Sequence, residues 1–190
     1  MKLINYSNYH SFLKSRSIPG KLYRKFWLYP NLCKHLIGKT LDIGSGIGDF
    51  VEFRKNTIGV DINPNNVKWC IEKKLDVRLM DINILPFNDL EFDSINLDNV
   101  LEHIEAPELL LNEIDRVLKD NGILQVGVPG ILGYTNAPDH EIYYSKTDLI
   151  QLFTNRGYKL IKIYDMPFKF EWLDKRLHQY CYYGVFQKLI

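Results

Sequence analysis

The residues with the clearest chemical potential are three alternating glycines that follow a short apolar run. Residues 41–48 read LDIGSGIG, which spaces Gly44, Gly46 and Gly48 as G-x-G-x-G. Glycine lets the backbone turn sharply and approach a ligand that a Cβ would exclude. Asp49 stands where the dinucleotide fingerprint G-x-G-x-x-G has its last glycine, and no Lys-Ser/Thr pair follows, which excludes a P-loop. By itself, such a loop can also be a simple corner of the chain.

Two aspartates follow at the ends of later apolar runs. Asp61 lies 13 residues after Gly48, and Asp81 lies 20 residues further on, beside Ile82. A carboxylate at a strand end can accept hydrogen bonds from both hydroxyls of a ribose. A carboxylate beside a free backbone N–H can bind adenine. Either aspartate can instead be a solvated loop residue, and Asp61 can cap the helix near Pro64. The position of Asp61 after the glycine loop favours the ribose interpretation.

These side chains depend on the elements that carry them, and the hydrophobic pattern predicts alternating strands and helices. Strands are predicted at residues 40–43, 57–61, 76–80, 93–97, 123–128, 158–164 and 182–189. Helices are predicted at residues 20–37, with a break or kink at Pro30, and at 49–54, 64–73, 107–118 and 145–155. This alternation predicts a parallel sheet with helices on both faces.

The predicted fold class is therefore α/β, a doubly wound, Rossmann-like fold with a seven-stranded, mostly parallel sheet. The last two strands follow each other without a clear helix, so we expect an antiparallel last strand in a hairpin at the end of the sheet. Ligands of such open sheets bind beyond the carboxyl ends of the strands. This rule brings the glycine loop, Asp61, Asp81, Asp98 and Asn99 to one edge.

Composition places the chain among globular proteins. It has 190 residues, of which 46% are hydrophobic and 25% charged. We expect a single domain over residues 1–190, with an N-terminal arm at 1–38 and an α/β core at 39–190. The sequence offers no apolar run long enough for a transmembrane helix and no signal-peptide pattern. Its three cysteines are far apart in the sequence, so we do not expect a disulfide framework. We expect a cytoplasmic location.

The charge of the chain is unevenly distributed. Residues 1–41 contain eight lysines and arginines and no acidic residue, whereas the net charge of the whole chain is only +1. A basic arm on an acidic body indicates either an acidic partner, such as a phosphorylated substrate, a membrane surface or a nucleic acid, or packing of the arm on its own body. Both readings stay open from the sequence.

Five segments, taken together, resemble a known family. They are LDIGSGIGDF (41–50), GVDIN (59–63), MDINILPFNDLEFDSINLDNVLEHI (80–104), LLLNEIDRVLKDNGILQVGVP (109–129) and YYSKTDLIQLFTNRGYKLIKI (143–163). Their order and spacing are similar to those of the class I S-adenosylmethionine-dependent methyltransferases, in the small-molecule group with a compact core. The resemblance implies S-adenosylmethionine as the cofactor.

The resemblance also implies a set of cofactor-binding residues. The glycines would wrap the methionine part, Asp61 would bind the ribose, and Asp81 with Ile82 would bind adenine. Asp98 and Asn99 would line the sulfonium and the path of the methyl group. The full implied set is Asp42, Gly44, Ser45, Gly46, Gly48, Asp61, Ile62, Asp81, Ile82, Asp98 and Asn99.

Departures from related patterns narrow the expected acceptor. No D/N-P-P-F/Y motif follows the fourth strand and no Pro-Cys pair occurs, which argues against methylation of DNA amines or of pyrimidine carbons. No carboxylate cluster resembles the divalent-metal site of catechol-type enzymes, so no metal site is expected. No nucleic-acid partner and no membrane insertion are expected either. The acceptor we expect is a small molecule or a glycan precursor, methylated on oxygen rather than nitrogen.

A hydroxyl acceptor needs a base, because transfer of a methyl group from a sulfonium otherwise requires mainly alignment and exclusion of water. The candidate is His140, which follows the loop after the fifth strand, although it can equally orient that loop through Asp139 and Glu141. His103 is more simply read as an anchor for a helix start.

The acceptor pocket has few residues from which to form. We expect the arm to contribute, with Tyr6, Tyr9 or Tyr23 facing the same cavity as His140 and Tyr134, and a homodimer to be a possible way of completing it. The alternative functions are a non-catalytic S-adenosylmethionine-binding adaptor and, less favoured by the glycine spacing, a nicotinamide-dependent oxidoreductase.

Overall fold

A seven-stranded sheet organises the protein in a computed structural model, which describes residues 6–169 and 174–190. The strand order is β3-β2-β1-β4-β5-β7-β6. The strands are β1 (Thr40–Ile43), β2 (Thr57–Asp61), β3 (Val77–Leu79), β4 (Phe92–Asp98), β5 (Leu118–Pro129), β6 (Tyr158–Met166) and β7 (Cys181–Lys188). Strands β1 to β5 pair in parallel, whereas β7 lies antiparallel to both β5 and β6. The predicted fold class is confirmed.

Eight α-helices surround this sheet in the described parts of the chain. They are α1 (Tyr6–Lys14), α2 (Ile18–Tyr23), α3 (Tyr29–Cys33), α4 (Asp49–Phe53), α5 (Pro64–Glu72), α6 (Glu108–Val117), α7 (Ile131–Thr135) and α8 (Lys146–Asn155). The hydrophobic pattern did not predict α1 or α7. Local chemistry defines the predicted helix starts: Ser145 and Asp148 form a capping box at α8, and Asn63 caps α5 ahead of Pro64.

The helix predicted at residues 20–37 is placed differently. Helical structure begins at Ile18 and ends at Cys33, and its middle is a π-helical turn at Arg24–Leu28. Pro30 has no N–H, and its ring would collide with the carbonyl four residues earlier in a regular α-helix. A wider π turn just before Pro30 relieves this collision, so the proline produces a local change of helix type rather than a break.

The arm packs on the rest of the chain through apolar side chains. Leu28, Tyr29, Leu32 and Leu36 are buried in a cluster with residues of α4, β6 and β7. Each fully buried side chain of this size contributes about 1.5–3 kcal/mol relative to an exposed one. The larger cluster lies between the sheet and the helices α6 and α8, and includes Leu97, Val126, Ile114 and Phe153.

Three cations of the basic segment pair with acidic groups of the body. Arg16 contacts Asp49 at 2.9 Å, Arg24 contacts Asp98 at 3.8 Å, and Lys39 contacts Glu91 at 2.7 Å. Of the two explanations for the basic arm, these three residues therefore support packing of the arm on the acidic body of the same chain. Among the described residues, no helix is long and apolar enough to cross a membrane.

Candidate functional site

The glycine loop leaves β1 in a conformation that depends on left-handed backbone. Gly44, Gly46 and Gly48 have φ angles of +72°, +56° and +79°. The N–H groups of Gly44 and Ser45 both donate to the carbonyl of Val60, at 2.9 and 3.0 Å. The loop is therefore fastened to the end of β2, and its glycines supply the positive φ angles that residues with a Cβ adopt only with strain.

Asp61 connects this loop to the start of α5. Its Oδ2 accepts a hydrogen bond from the N–H of Gly46 at 2.7 Å, and its Oδ1 accepts from the N–H of Asn63 at 2.8 Å and from Asn66 Nδ2 at 3.3 Å. Burial raises the pKa of Asp61, while these hydrogen bonds oppose the rise. A carboxylate offers about four acceptor positions, so Asp61 retains capacity for a further donor.

A buried polar network runs across the sheet beneath the loop. Asn96 Nδ2 donates to Asp42 at 2.7 Å, Gln125 Nε2 donates to Asn96 at 3.0 Å, and the Tyr164 hydroxyl donates to Gln125 at 3.3 Å. Burial raises the pKa of Asp42 to about 7, the hydrogen bond from Asn96 opposes the rise, and the nearby charges of Asp98 and Asp61 add to it. Asp42 is thus buried in β1 at one end of this network.

The end of β4 carries Asp98 and Asn99. The Tyr183 hydroxyl donates to Asp98 at 2.6 Å, and the Arg24 guanidinium from the arm lies 3.8 Å from the same carboxylate. Asn99 has a φ angle of +56°, and its Oδ1 is 3.5 Å from the thiol of Cys181. Asp98 is therefore held by β7 and the arm, while Asn99 faces the start of β7.

A cluster of two histidines and one glutamate follows directly. Glu102, His103 and His140 each offer a potential ligand atom, and these atoms lie within 4.8 Å of one another. His140 Nε2 is 3.9 Å from Glu102 Oε1, and the two imidazole rings are 4.8 Å apart in an edge-on arrangement. Burial raises the pKa of Glu102 to about 8, and burial together with the charge of His103 lowers the pKa of His140.

Comparison with known proteins identifies the family of the segment that contains the glycine loop. Residues 41–126 match the model of a methyltransferase domain family. A Methanocaldococcus jannaschii protein, named only as uncharacterized, is 32% identical over 143 residues, which make up 70% of each chain.

The chain belongs to the class I S-adenosylmethionine-dependent methyltransferases. It is a methyltransferase, and S-adenosylmethionine is its cofactor.

Solved structures share the fold of this methyltransferase over nearly its whole length. A SAM-dependent methyltransferase from Archaeoglobus fulgidus has a TM-score of 0.73 at 20% identity, covering 97% of this chain and 100% of that one. A chain in the complex between the Haloferax volcanii Trm112 methyltransferase activator and a putative methyltransferase has a TM-score of 0.77 at 15% identity, covering 98% of both chains.

The residues present fit the cofactor. The loop glycines let the backbone pass close to Val100, Leu13 and Leu75, where a Cβ would collide or be crowded, and Asp61 has acceptor capacity for hydroxyls. The carboxyl groups of Asp61 and Asp98 lie at the carboxyl ends of β2 and β4, the two strands that flank β1, and negative charge there suits a sulfonium cation.

The remaining predicted cofactor residues lie at different depths. Asp81 and Ile82 are exposed after the end of β3, in a turn closed by a bridge from Asp81 to Ile84. Ile62 is half-buried against the main core. The Ser45 hydroxyl is buried against Gly59, whose Cβ, if present, would lie 2.6 Å from it.

Helix α1 covers the loop, a feature that the sequence pattern did not reveal. Leu13 is buried, and its Cδ1 lies 3.1 Å from the position that a Cβ on Gly46 would take. Asn63 Nδ2 donates to the carbonyl of Tyr6, and His10 Nδ1 lies 2.8 Å from Asn66 Oδ1. The arm therefore reaches the same asparagines that contact Asp61.

Charged groups of the candidate site act on two tyrosines of the arm. Burial raises the pKa of Tyr9, and the charges of Asp61, Asp139 and Glu102 add to the rise. Burial also raises the pKa of Tyr23, with further contributions from Cys181 and Asp98. The Tyr134 ring stacks on His140, with centroids 5.6 Å apart. Glu102 is the functional candidate that sequence reasoning missed, because nothing in the Leu-Glu-His run signals that this acid is buried.

Proposed function

We propose that the enzyme transfers the methyl group to a hydroxyl oxygen of a small-molecule or glycan acceptor. The observation that carries this proposal is His140, whose Nε2 lies 3.9 Å from the buried Glu102, four residues after β4 ends at Asp98. An oxygen acceptor must lose its proton during transfer, whereas an amine can attack with its own lone pair. A group suited to managing that proton is therefore the feature that separates the two acceptor types.

The state of His140 supports this role. Its Nδ1 donates to the carbonyl of Tyr134 at 3.1 Å, which leaves Nε2 as the ring nitrogen with a free lone pair. Burial and the neighbouring His103 lower its pKa, so the neutral ring predominates at neutral pH. We propose His140 as the residue that activates the acceptor hydroxyl.

We propose that the cofactor lies along the edge formed by the strand ends. The glycine loop and Ser45 would contact the methionine part above Asp42, Asp61 and Ile62 would hold the ribose, and Asp81 with Ile82 would hold the adenine. Asp98 and Asn99 would direct the methyl group toward His140. The hydrogen bond from Gly46 to Asp61 supports this assignment, because it joins the two cofactor-binding segments.

The acceptor pocket would be formed by the arm together with the loop that carries His140. Tyr9, whose hydroxyl is affected by charges from both Asp61 and Glu102, is the arm residue we assign to this pocket. A homodimer would provide further walls of this pocket.

The three free cysteines, Cys33, Cys70 and Cys181, support a reducing, cytoplasmic location.

The experiment that tests the function is incubation of the full chain with S-adenosylmethionine and a panel of sugar, phenol and amine acceptors. Methylated products are identified by mass spectrometry, and the methylated atom by NMR. His140→Ala should lower kcat by about 10²–10⁴ on a hydroxyl acceptor, as expected for a lost general acid–base group. His35→Ala, which alters a histidine beside Lys162 and Tyr164, is the matched control and should keep full turnover.

The alternative is a non-catalytic adaptor that binds S-adenosylmethionine, and one structural neighbour does occur in a complex with a methyltransferase activator. An adaptor would bind the cofactor without forming S-adenosylhomocysteine in a cell extract. Product formation only on amines, with no effect of His140→Ala, would contradict the proposed oxygen acceptor.

A further inference from the structure

Glu102 is a buried acid whose carboxylate accepts no hydrogen bond from another residue in the described parts of the chain. The residue has no exposed surface, and neither of its carboxylate oxygens has a hydrogen-bond partner there. Keeping such a carboxylate ionised costs several kcal/mol unless a cation or another group is bound to it, and native proteins rarely leave buried polar side chains without partners. His140 Nε2 lies 3.9 Å from Glu102 Oε1, which is too far for a hydrogen bond.

The two histidines are oriented with their Nδ1 atoms engaged. His140 Nδ1 lies 3.1 Å from the carbonyl of Tyr134. His103 Nδ1 lies 3.2 Å from the carbonyl of Asp139 and 3.3 Å from its carboxylate. A carbonyl or carboxylate on one ring nitrogen places the proton there and leaves the lone pair on the other, which is the arrangement found behind histidines that bind metals.

We propose that Glu102, His103 and His140 bind a divalent transition-metal ion. The donor set is one carboxylate oxygen and two imidazole nitrogens, with the remaining positions open to water and substrate. These donors suit Mn²⁺, Fe²⁺, Co²⁺ or Zn²⁺ better than Mg²⁺ or Ca²⁺, which prefer oxygen ligands. The candidate ligand atoms lie within 4.8 Å of one another, so small side-chain movements would bring all three to an ion.

The inference rests on the proposed function for the use of the ion and refines the role of His140. With the ion bound, His140 is a ligand, and the acceptor hydroxyl is activated by coordination, which lowers its pKa. The hydroxyl proton passes to a water molecule, the oxygen forms its bond to the methyl carbon, and the carbon–sulfur bond breaks with its electron pair on sulfur. The open positions favour an acceptor with two neighbouring oxygens, such as a vicinal diol or a hydroxy acid.

The site can be tested without turnover. The full chain, stripped with a chelator, is titrated with Mn²⁺ and followed by electron paramagnetic resonance of the free ion, and with Zn²⁺ by calorimetry. One equivalent should bind, and both Glu102→Gln and His103→Ala should weaken binding at least tenfold. His35→Ala is the control and should bind as the wild type does.

His103 separates the two roles of His140 in turnover. If His140 acts as a base without a metal ion, the His103→Ala variant should keep its activity. If His140 is a metal ligand, His103→Ala should lose activity, and added Mn²⁺ should partly restore that activity. If Glu102→Gln fails to fold by circular dichroism, His103→Ala carries the test, because His103 lies nearer the surface.

The site and the proposed function can fail separately. Absence of binding at millimolar Mn²⁺ and Zn²⁺, or binding that neither variant weakens, overturns the metal site and leaves oxygen methylation standing. Stoichiometric binding that both variants abolish, together with methylation of amines only, retains the site and overturns the proposed acceptor.

Discussion

The backbone N–H of Gly46 donates a hydrogen bond to the carboxylate of Asp61 over 2.7 Å, which joins the glycine loop to the end of β2. The same carboxylate accepts from Asn63 at 2.8 Å at the start of α5. Asp61 therefore fixes the shape of the edge where we propose that the cofactor binds, and it retains acceptor positions there. Changes at either residue should affect both the loop and the bound cofactor.

Asp61→Ala should weaken binding of S-adenosylmethionine by about one to two decades. A charged acceptor of hydrogen bonds contributes roughly 1.5–3 kcal/mol, and each 1.4 kcal/mol is about tenfold in affinity. Calorimetry measures the dissociation constant of the cofactor. Thermal unfolding measures separately the stability that is lost because the loop no longer has its hydrogen bond to residue 61. Asp76→Ala, at an exposed aspartate that pairs with Arg78, is the control. Unchanged affinity in Asp61→Ala would remove Asp61 from the ribose site.

Gly46→Val should abolish cofactor binding while the chain still folds. At a φ angle of +56° a β-branched residue is strained, and its Cβ would lie 3.1 Å from Leu13 in the space above the loop. Gly157→Val is the matched control, because Gly157 has a φ angle of +84° with no atom within 4 Å of an added Cβ. Both variants should lose stability by roughly 1–3 kcal/mol from backbone strain. Normal cofactor binding by Gly46→Val would mean that the loop only turns the chain and does not contact the cofactor.

The sheet and the glycine loop were predictable because their signals are local. Each strand is a short apolar run, and the loop is a run of glycines after one of them. Helix α1 was not predictable, because Leu13 is its only buried residue and its other partners, Asn63 and Asn66, lie more than 50 residues away in sequence. Its position is set by tertiary contacts rather than by a repeating apolar face.

The burial of Glu102 was hidden for a similar reason. The loop that follows β5 returns over it, and the N–H groups of Glu141 and Ile142 donate to its carbonyl at 2.8 and 3.2 Å. The polar network was partly visible, since Asp42, Asn96 and Gln125 each interrupt an apolar strand. The register pairs Asp42 with Asn96 and Asn96 with Gln125, but this pairing is known only once the strand order is known.

Asp42 should make stability depend on pH. Its pKa is about 7 in the fold and 3.8 ordinarily, so the folded state holds a proton that the unfolded chain has lost between these values. The resulting stabilisation is full below about pH 4 and is lost as the pH rises to about 7. Between pH 5 and 8 the wild type should lose roughly 2–3 kcal/mol from this group, at about 1.36 kcal/mol per pH unit.

Asp42→Asn should remove this part of the pH dependence, because an amide can still accept the hydrogen bond from Asn96 without ionising. Urea unfolding at pH 5, 6, 7 and 8 measures the difference between variant and wild type. Asp76→Asn, at an exposed aspartate, should follow the wild-type curve. Parallel curves for Asp42→Asn and the wild type would show that the Asp42 carboxyl is not the titrating group.

Leu13→Ala should release helix α1 from the glycine loop. Leu13 is 3% exposed and is the buried residue of α1, so truncation should remove about 2–5 kcal/mol of packing locally. Opening that exposes Lys14 and Arg16 should then be at least tenfold more frequent, and limited trypsin digestion should cleave there correspondingly faster. The unfolding midpoint of the sheet should change little, because the arm also packs through Leu28, Tyr29 and Leu32. Phe12→Ala is the control, since the neighbouring Phe12 is 66% exposed and its loss should leave cleavage unchanged. Equal acceleration in both variants would mean that α1 is not docked through Leu13, and the arm would then have no part in covering the cofactor edge.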